Sequence, residues 1–405
     1  MQKFFVLLVL LLAATTGSIA QVNHPDSLAA QLNALSEQVS GMKKLKISGF
    51  VQAQWQKADT AGIRSFAGGN FEPNTDNRFM IRRSRLKLTY SSKPITAVVQ
   101  VDATEKGVTL KDAYGEFAFP GAAKNLSLKA GMFKRPFGYE VPASSETRET
   151  PERGRSAQLL LPNERDLGAT LAYKLGAVKA EAGIFNGNTT VDFDSKKDFI
   201  GRLSAAKELG GGVKLSGGVS FYSGGVYQGT KKVYEFEGGK FALQDTLTAL
   251  GEQADRQYVG ADLQASFDVG IGTTTLRGEY ITGTQPGTAS SSESPKTATL
   301  PASNTYIRSF NAGIFYLIQN LGKTNLQAVV KYDFLDPNSD ADGDGIANDG
   351  DVKYSTWGFG LNYYWKNLTF MAYFDKVENE TTSEIAKFNG DLDDNVLTLR
   401  IQYKF

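Results

Sequence analysis

The chain has 405 residues, a formal charge of +1, no cysteine and a single histidine, His24. That inventory excludes disulfides, thiolate metal sites and histidine-based nucleophilic or general-base catalysis. It also holds 42 glycines, 17 tyrosines and 25 phenylalanines at a mean hydropathy of −0.28. This balance suits strands that spend only every second residue on an apolar surface.

Residues 1–20 read as a signal peptide. Lys3 supplies the charge, Phe4 to Ala14 the apolar run, and Ser18-Ile19-Ala20 the small-x-small cleavage site, so Gln21 is expected to start the mature chain. The run is too short for a bilayer span, and no later segment approaches the roughly 20 apolar residues a helical span needs. Residues 21–44 are expected to form a short periplasmic helix. In it, Leu28, Leu32, Leu35, Val39 and Met42 follow the 4-3-4-3 spacing of a coiled-coil seam. Two heptads do not hold an oligomer alone. The seam either zips subunits together or packs on the rim of the chain's own barrel.

From Leu45 onward the pattern has period two. Ile47, Val51 and Trp55 alternate with Gln52, Gln54 and Gln56. In Arg78 to Tyr90, Leu86, Leu88 and Tyr90 take one face, and Arg83, Arg85 and Lys87 the other. Alternation recurs to Phe405 and gives about 16 strands, an even number as bacterial barrels have. The connections are expected to alternate long and short, with Ala103 to Thr109 among the long ones. Tight turns at one end and long loops at the other are the layout of an outer-membrane barrel. An open edge in lipid would leave backbone groups unpaired, so the sheet must close. Residues 45–405 are therefore expected to form one closed antiparallel transmembrane β-barrel, an all-β membrane protein.

Four patches lie in order along the first half: Arg82-Arg-Ser-Arg-Leu-Lys-Leu88, Leu110-Lys-Asp-Ala-Tyr114, Gly131-Met-Phe-Lys-Arg-Pro-Phe-Gly-Tyr-Glu140, and Glu152-Arg153 followed by Leu161 to Gly168. In them the chain resembles the phosphate- and pyrophosphate-selective outer-membrane porins of the porin O/P type, specifically through Arg165 and in general pattern beyond. The resemblance implies a trimer of 16-stranded barrels in a Gram-negative outer membrane, with the third long loop, Lys134 to Arg165, folded into the lumen. It implies that Arg83, Arg85 and Lys87 belong to a basic ladder. Lys129, Lys134, Arg135, Arg148, Arg153 and Arg165 then surround the inward loop. Each loop cation alternatively pairs with Glu140, Glu146, Glu149, Glu152 or Asp166 and pins the loop to the wall. Acids also fall on the lumen parity, namely Asp112, Glu116, Glu181, Asp262, Glu279, Asp333 and Asp375, and partly offset the ladder.

The expected function is passive diffusion of small anions, phosphate or pyrophosphate, because rings of Arg and Lys lower the barrier for anions. The alternative is a general porin for sugars or peptides, with Tyr114 as a sliding surface. No carboxylate pair stands out for glycoside chemistry, and the glycines at 210–212 and 224–225 precede no helix that would cradle phosphate. An enzyme is not expected, nor is nucleic acid a partner. Outer-membrane lipid, lipopolysaccharide and further copies of the chain are. No cofactor is required. One loop nevertheless has calcium-site spacing: Asp340, Asp342 and Asp344 at positions 1, 3 and 5, Gly345 at 6, Ile346 at 7 through its carbonyl, Asn348 at 9, and Asp351 at 12 with Asp349 as its substitute. The alternative is a solvated acidic tip.

Overall fold

The computed structural model describes residues 44–189, 192, 194–228, 232–244, 251–294 and 304–405. The expected signal peptide, and the expected helix up to residue 43, lie outside the described residues. The strands are β1 (Leu45–Ala58), β2 (Asn77–Ser92), β3 (Ile95–Thr104), β4 (Gly107–Ala118), β5 (Leu126–Lys134), β6 (Arg165–Leu175), β7 (Val178–Phe185), β8 (Asp198–Glu208) and β9 (Lys214–Tyr227). They continue with β10 (Val233–Glu237), β11 (Lys240–Leu243), β12 (Gln253–Val269), β13 (Gly272–Gly287), β14 (Thr305–Asn320), β15 (Leu326–Asp336), β16 (Tyr354–Trp365), β17 (Leu368–Asn379) and β18 (Val396–Lys404). One short helix, α1 (Arg155–Leu160), lies between β5 and β6.

Sixteen of these strands form one antiparallel barrel. It closes where β18 returns to β1, from Phe50 opposite Lys404 to Ala58 opposite Val396. The other two, β10 and β11, are a hairpin in a connection, and β10 runs parallel beside the start of β14.

Burial is inverted relative to a water-soluble sheet. Leu86, Leu88, Tyr90, Trp357, Phe359, Leu361, Leu399 and Ile401 are exposed on the outside, while Gln52, Gln54, Arg83, Arg85, Asn362, Thr398 and Arg400 are buried inside. Lipid rewards the first set, and a polar lumen accommodates the second. Tyr90, Tyr173, Tyr280, Trp365, Tyr403 and Phe405 are exposed near strand ends, where interfacial girdles sit. The acids on the lumen parity do face inward, and their partners are there too. Asp112 pairs with Arg165, Glu116 with Lys129, Glu181 with Lys179, Asp262 with Arg202, and Asp333 and Asp375 share Lys331.

The connections segregate as expected, with one correction. The connection expected to be long at Ala103 to Thr109 is the two-residue turn Glu105–Lys106. The ladder runs to its tip, with Val101 opposite Leu110 and Ala103 opposite Val108. The apolar outward face of β4 thus continues to the rim, and Gly107 takes the positive φ the tight turn needs.

Sixteen strands enclose a lumen too wide for wall side chains to fill. The chain between β5 and β6 fills part of it. Phe137, Val141, Ala157, Leu160 and Leu161 pack on Phe133, Phe185, Ile200, Tyr222, Tyr258, Ile281, Phe310, Ala312 and Leu335 of the wall. This is the largest apolar cluster among the described residues, and it sits inside the barrel.

Candidate functional site

The inward loop spans 135–164. Its opening turn needs Gly138, whose φ is +62° and whose missing Cβ would collide with the Glu279 carboxylate. That carboxylate instead accepts the backbone N–H of Tyr139 (2.7 Å) and Glu140 (2.8 Å), while Tyr316 donates to Glu140. The middle of the loop crosses to the far wall. Gln52 donates to the Ser145 carbonyl (3.0 Å), Arg85 to the Ser145 hydroxyl (2.9 Å), and Asn362 to the Glu149 carbonyl (2.7 Å). Arg277 grips the Glu149 carboxylate with both Nη atoms at 3.1 Å.

Glu152 is the main anchor. Arg82 reaches it at 2.8 Å, Arg83 at 2.6 Å and Arg400 at 2.8 Å, so β2 and β18 hold one carboxylate of the loop with three guanidiniums. Burial alone would push the Glu152 carboxyl up, but the three arginines hold it well below the usual carboxylate range. Glu164 closes the loop in the same way. Burial opposes its charge, yet Arg153 and Arg165 keep it below that range. Burial in turn lowers Arg153 to about 10.

Of the residues expected on the anion path, five carry carboxylate partners. Arg83 has Glu152, Arg85 has Asp102 (3.0 Å), Arg153 has Glu164, Arg165 has Asp112 (2.8 Å) and Glu164, and Lys129 faces Glu116 at 3.9 Å. Lys129 also lies over Tyr114 (5.3 Å) and Phe133, so Tyr114 packs beneath a cation as well as edge-on to Phe133. Lys134 donates to the carbonyls of Pro142 and Ala143, and Arg135 to that of Pro162. Lys87 is half-buried on the lumen parity. Arg148 is 5% exposed, and none of its three guanidinium nitrogens has a partner.

Strict alternation missed two cations, for one physical reason. Along β2, Phe79 and Ile81 face outward before Arg82, while Leu86, Leu88 and Tyr90 face outward after Arg83. The strand slips by one residue between the two arginines, and both point inward. The Ser84 N–H there donates to the Asp102 side chain (2.9 Å). Along β4 the register slips too: Gln100 faces Asp112 but Val101 faces Leu110, leaving Lys111 as the extra residue. Such bulges re-aim a side chain. Without the bulge, Lys111 would point at lipid, which costs about 2–4 kcal/mol for a cation near the bilayer midplane. Arg400 was also missed, although its alternation with Leu399 and Ile401 places it inside.

Arg82 and Lys111 border a cavity of about 1220 Å³. Strands β2–β4 and the inward loop contribute Arg82, Arg83, Arg85, Lys111, Arg153 and Arg155 against Asp102, Glu152 and Glu164. The outer connections contribute Arg64 and Lys387 against Glu293, Asp349, Asp391, Asp393 and Asp394. The neck is basic and the rim acidic. The connection between β1 and β2 folds over this cavity. Gln158 of α1 donates to the Phe66 carbonyl (2.9 Å), and Arg155 stacks between Phe66 (4.4 Å) and Tyr354 (3.8 Å).

The 340–351 connection is organised around an ion pair. Asp351 and Arg308 are both 0% exposed and 2.6 Å apart, and Asp351 also accepts from Asn338 and the Asn348 backbone. Ile346 packs with Val352 and Phe388, and Asp349 faces Lys387 at 3.5 Å. Asp340 and Asp342 are exposed. Among the described residues no three acidic side chains gather at one centre. Asp351, expected as the twelfth ligand of a calcium ring, is committed to Arg308 in this arrangement.

The family model for phosphate-selective porin O and P matches residues 59–405. No curated protein matches the chain. In fold it is similar to the outer membrane channel DcaP of Acinetobacter baumannii, with TM-score 0.56, 14% identity, and 89% of this chain and 97% of that one covered. It is similar to an anion-selective porin from Comamonas acidovorans, with TM-score 0.54, 12% identity, and 89% and 99% covered. It is also similar to the trimer form of OmpT from Vibrio cholerae, with TM-score 0.51, 10% identity, and 89% and 99% covered. At these identities the likeness shows the fold. Polar lumen, lipid-facing shell and family place the barrel in the bacterial outer membrane as a channel rather than an enzyme. From the extent of the family match, the chain belongs to the phosphate-selective porins O and P.

Proposed function

We propose that the barrel passes small anions, phosphate and pyrophosphate among them, by passive diffusion down their gradients. The observation that carries this reading is the basic neck: six cations against three carboxylates from β2–β4 and the inward loop. An excess of fixed positive charge lowers the barrier for an anion and raises it for a cation. The anion-selective porin of similar fold supports the same reading. Proteoliposomes carrying the protein are expected to admit phosphate faster than a neutral sugar of equal size. Equal rates would return the pore to the general class.

That general porin is the second reading, and the acidic rim favours it. Five carboxylates against two cations in the outer part of the same cavity oppose the entry of multivalent anions. We further propose a homotrimer, on the OmpT trimer of similar fold. The low wall beside the Glu105–Lys106 turn, with Phe79, Val108 and Leu110 exposed, is the face offered to a second copy. A detergent-solubilised mass of one chain would contradict it.

A further inference from the structure

The basic neck contains one cation unlike the others. Arg82 and Arg83 are bound to Glu152, Arg85 to Asp102 and Arg153 to Glu164, with fork donors that also serve Gln52, Ser145 and loop carbonyls. Arg155 is clamped between two aromatic rings. Lys111 alone among these has no hydrogen bond, ion pair or ring contact among the described residues. It borders the cavity and is half-exposed to it. The bulge in β4 is what puts it there.

We infer that Lys111 sets the charge preference of this pore, and that the arginine ladder serves chiefly as scaffold. The inference rests on the anion reading above and deepens it. A guanidinium already gripping a carboxylate has no free fork for a passing oxyanion, and Asp102 and Glu164 offset the charges of Arg85 and Arg153 one for one. A lysine with no partner keeps its charge in the path. Its ammonium is a compact point charge without planar donor geometry. It therefore favours anions by sign, not by shape, and chloride and phosphate compete for it on near-equal terms.

The test is the reversal potential of the full-length protein in planar bilayers across a potassium chloride gradient. Wild type, Lys111→Gln, Lys111→Glu, Lys111→Arg and the exposed-turn control Lys323→Gln are compared, with open-channel conductance showing that each variant is a folded pore. Wild type, Lys111→Arg and Lys323→Gln are expected to share an anion-side potential. Lys111→Gln should move clearly toward zero, and Lys111→Glu further in the same direction. An unchanged Lys111→Gln potential with an anion-preferring wild type overturns this inference alone. A wild type at zero or on the cation side overturns the anion reading itself, and this inference with it. Inorganic phosphate added well below the chloride concentration should leave the chloride current unreduced. A block there would show a shape-reading site and overturn the point-charge account.

Discussion

The inward loop is held by two flanks that work differently. On one, Phe137, Val141, Leu160 and Leu161 are buried against the wall from β5 to β15. On the other, Ser145, Glu149 and Glu152 are tied to β1, β2, β13 and β18 by hydrogen bonds and ion pairs. The apolar flank stabilises the loop by removing surface from water, at about 1.5–3 kcal/mol for each large side chain, and it has no effect on a passing charge. The charged flank fixes the loop and, in the same contacts, decides how much of the wall's positive charge a solute meets. Anchoring and selectivity are thus coupled on one side of the pore and separate on the other.

Four changes sharpen that contrast. Glu152→Gln should be the most damaging, because removing one partner of a buried pair costs about 3–5 kcal/mol, and here three guanidiniums lose it. A lowered denaturation midpoint in detergent, together with flickering single-channel current, would show it. Phe137→Ala, at a fully buried ring, should cost a similar or slightly smaller amount, about 3–5 kcal/mol, and produce the same flicker. Gly138→Ala places a side chain at φ +62° against Glu279 and should cost more than about 1 kcal/mol, read from the same midpoint.

The smallest effect concerns pH. The Glu152 carboxyl is depressed in the fold, so its stabilisation is complete above its unfolded value of 4.5. It is lost only as pH falls through the much lower folded value, and the loop should stay docked down to about pH 5. Asp394 at the rim is the reverse case. Burial raises it to about 6, opposed by Arg155 and helped by Asp391 and Asp59. Its favourable proton binding is fully present below its unfolded value of 3.8 and is lost as pH rises through about 6. The rim gains a negative charge over that window, and anion preference should be slightly higher at pH 5 than at pH 7. An Asp394→Asn pore should lose that difference.

Much of the architecture was legible because a lipid-facing strand must alternate, and because loops sort to one end of a barrel. The inward orientation of Arg83, Arg85, Glu279 and Asp333 followed from parity alone. Arg82 and Lys111 did not, because a bulge leaves no mark in an alternation pattern that assumes a perfect ladder. The Glu105–Lys106 turn was hidden for a related reason: Thr104 to Gly107 is polar and reads as loop, while the pairing that tightens it lies across two strands. The pairing of Asp351 with Arg308 was not legible either, because spacing records only local neighbours and Arg308 is 43 positions away. The identity of the cations was readable. Which of them are already neutralised was not, because that depends on where the inward loop places Glu152 and Glu164.

Masking of wall charge by the charged flank is best tested by comparing two variants in one salt gradient. Glu152→Gln and Phe137→Ala both loosen the inward loop, but only the first frees arginines. The reversal potential of Glu152→Gln should move further to the anion side, while that of Phe137→Ala stays at the wild-type value. Equal shifts in the two variants, or none in Glu152→Gln, would contradict the account.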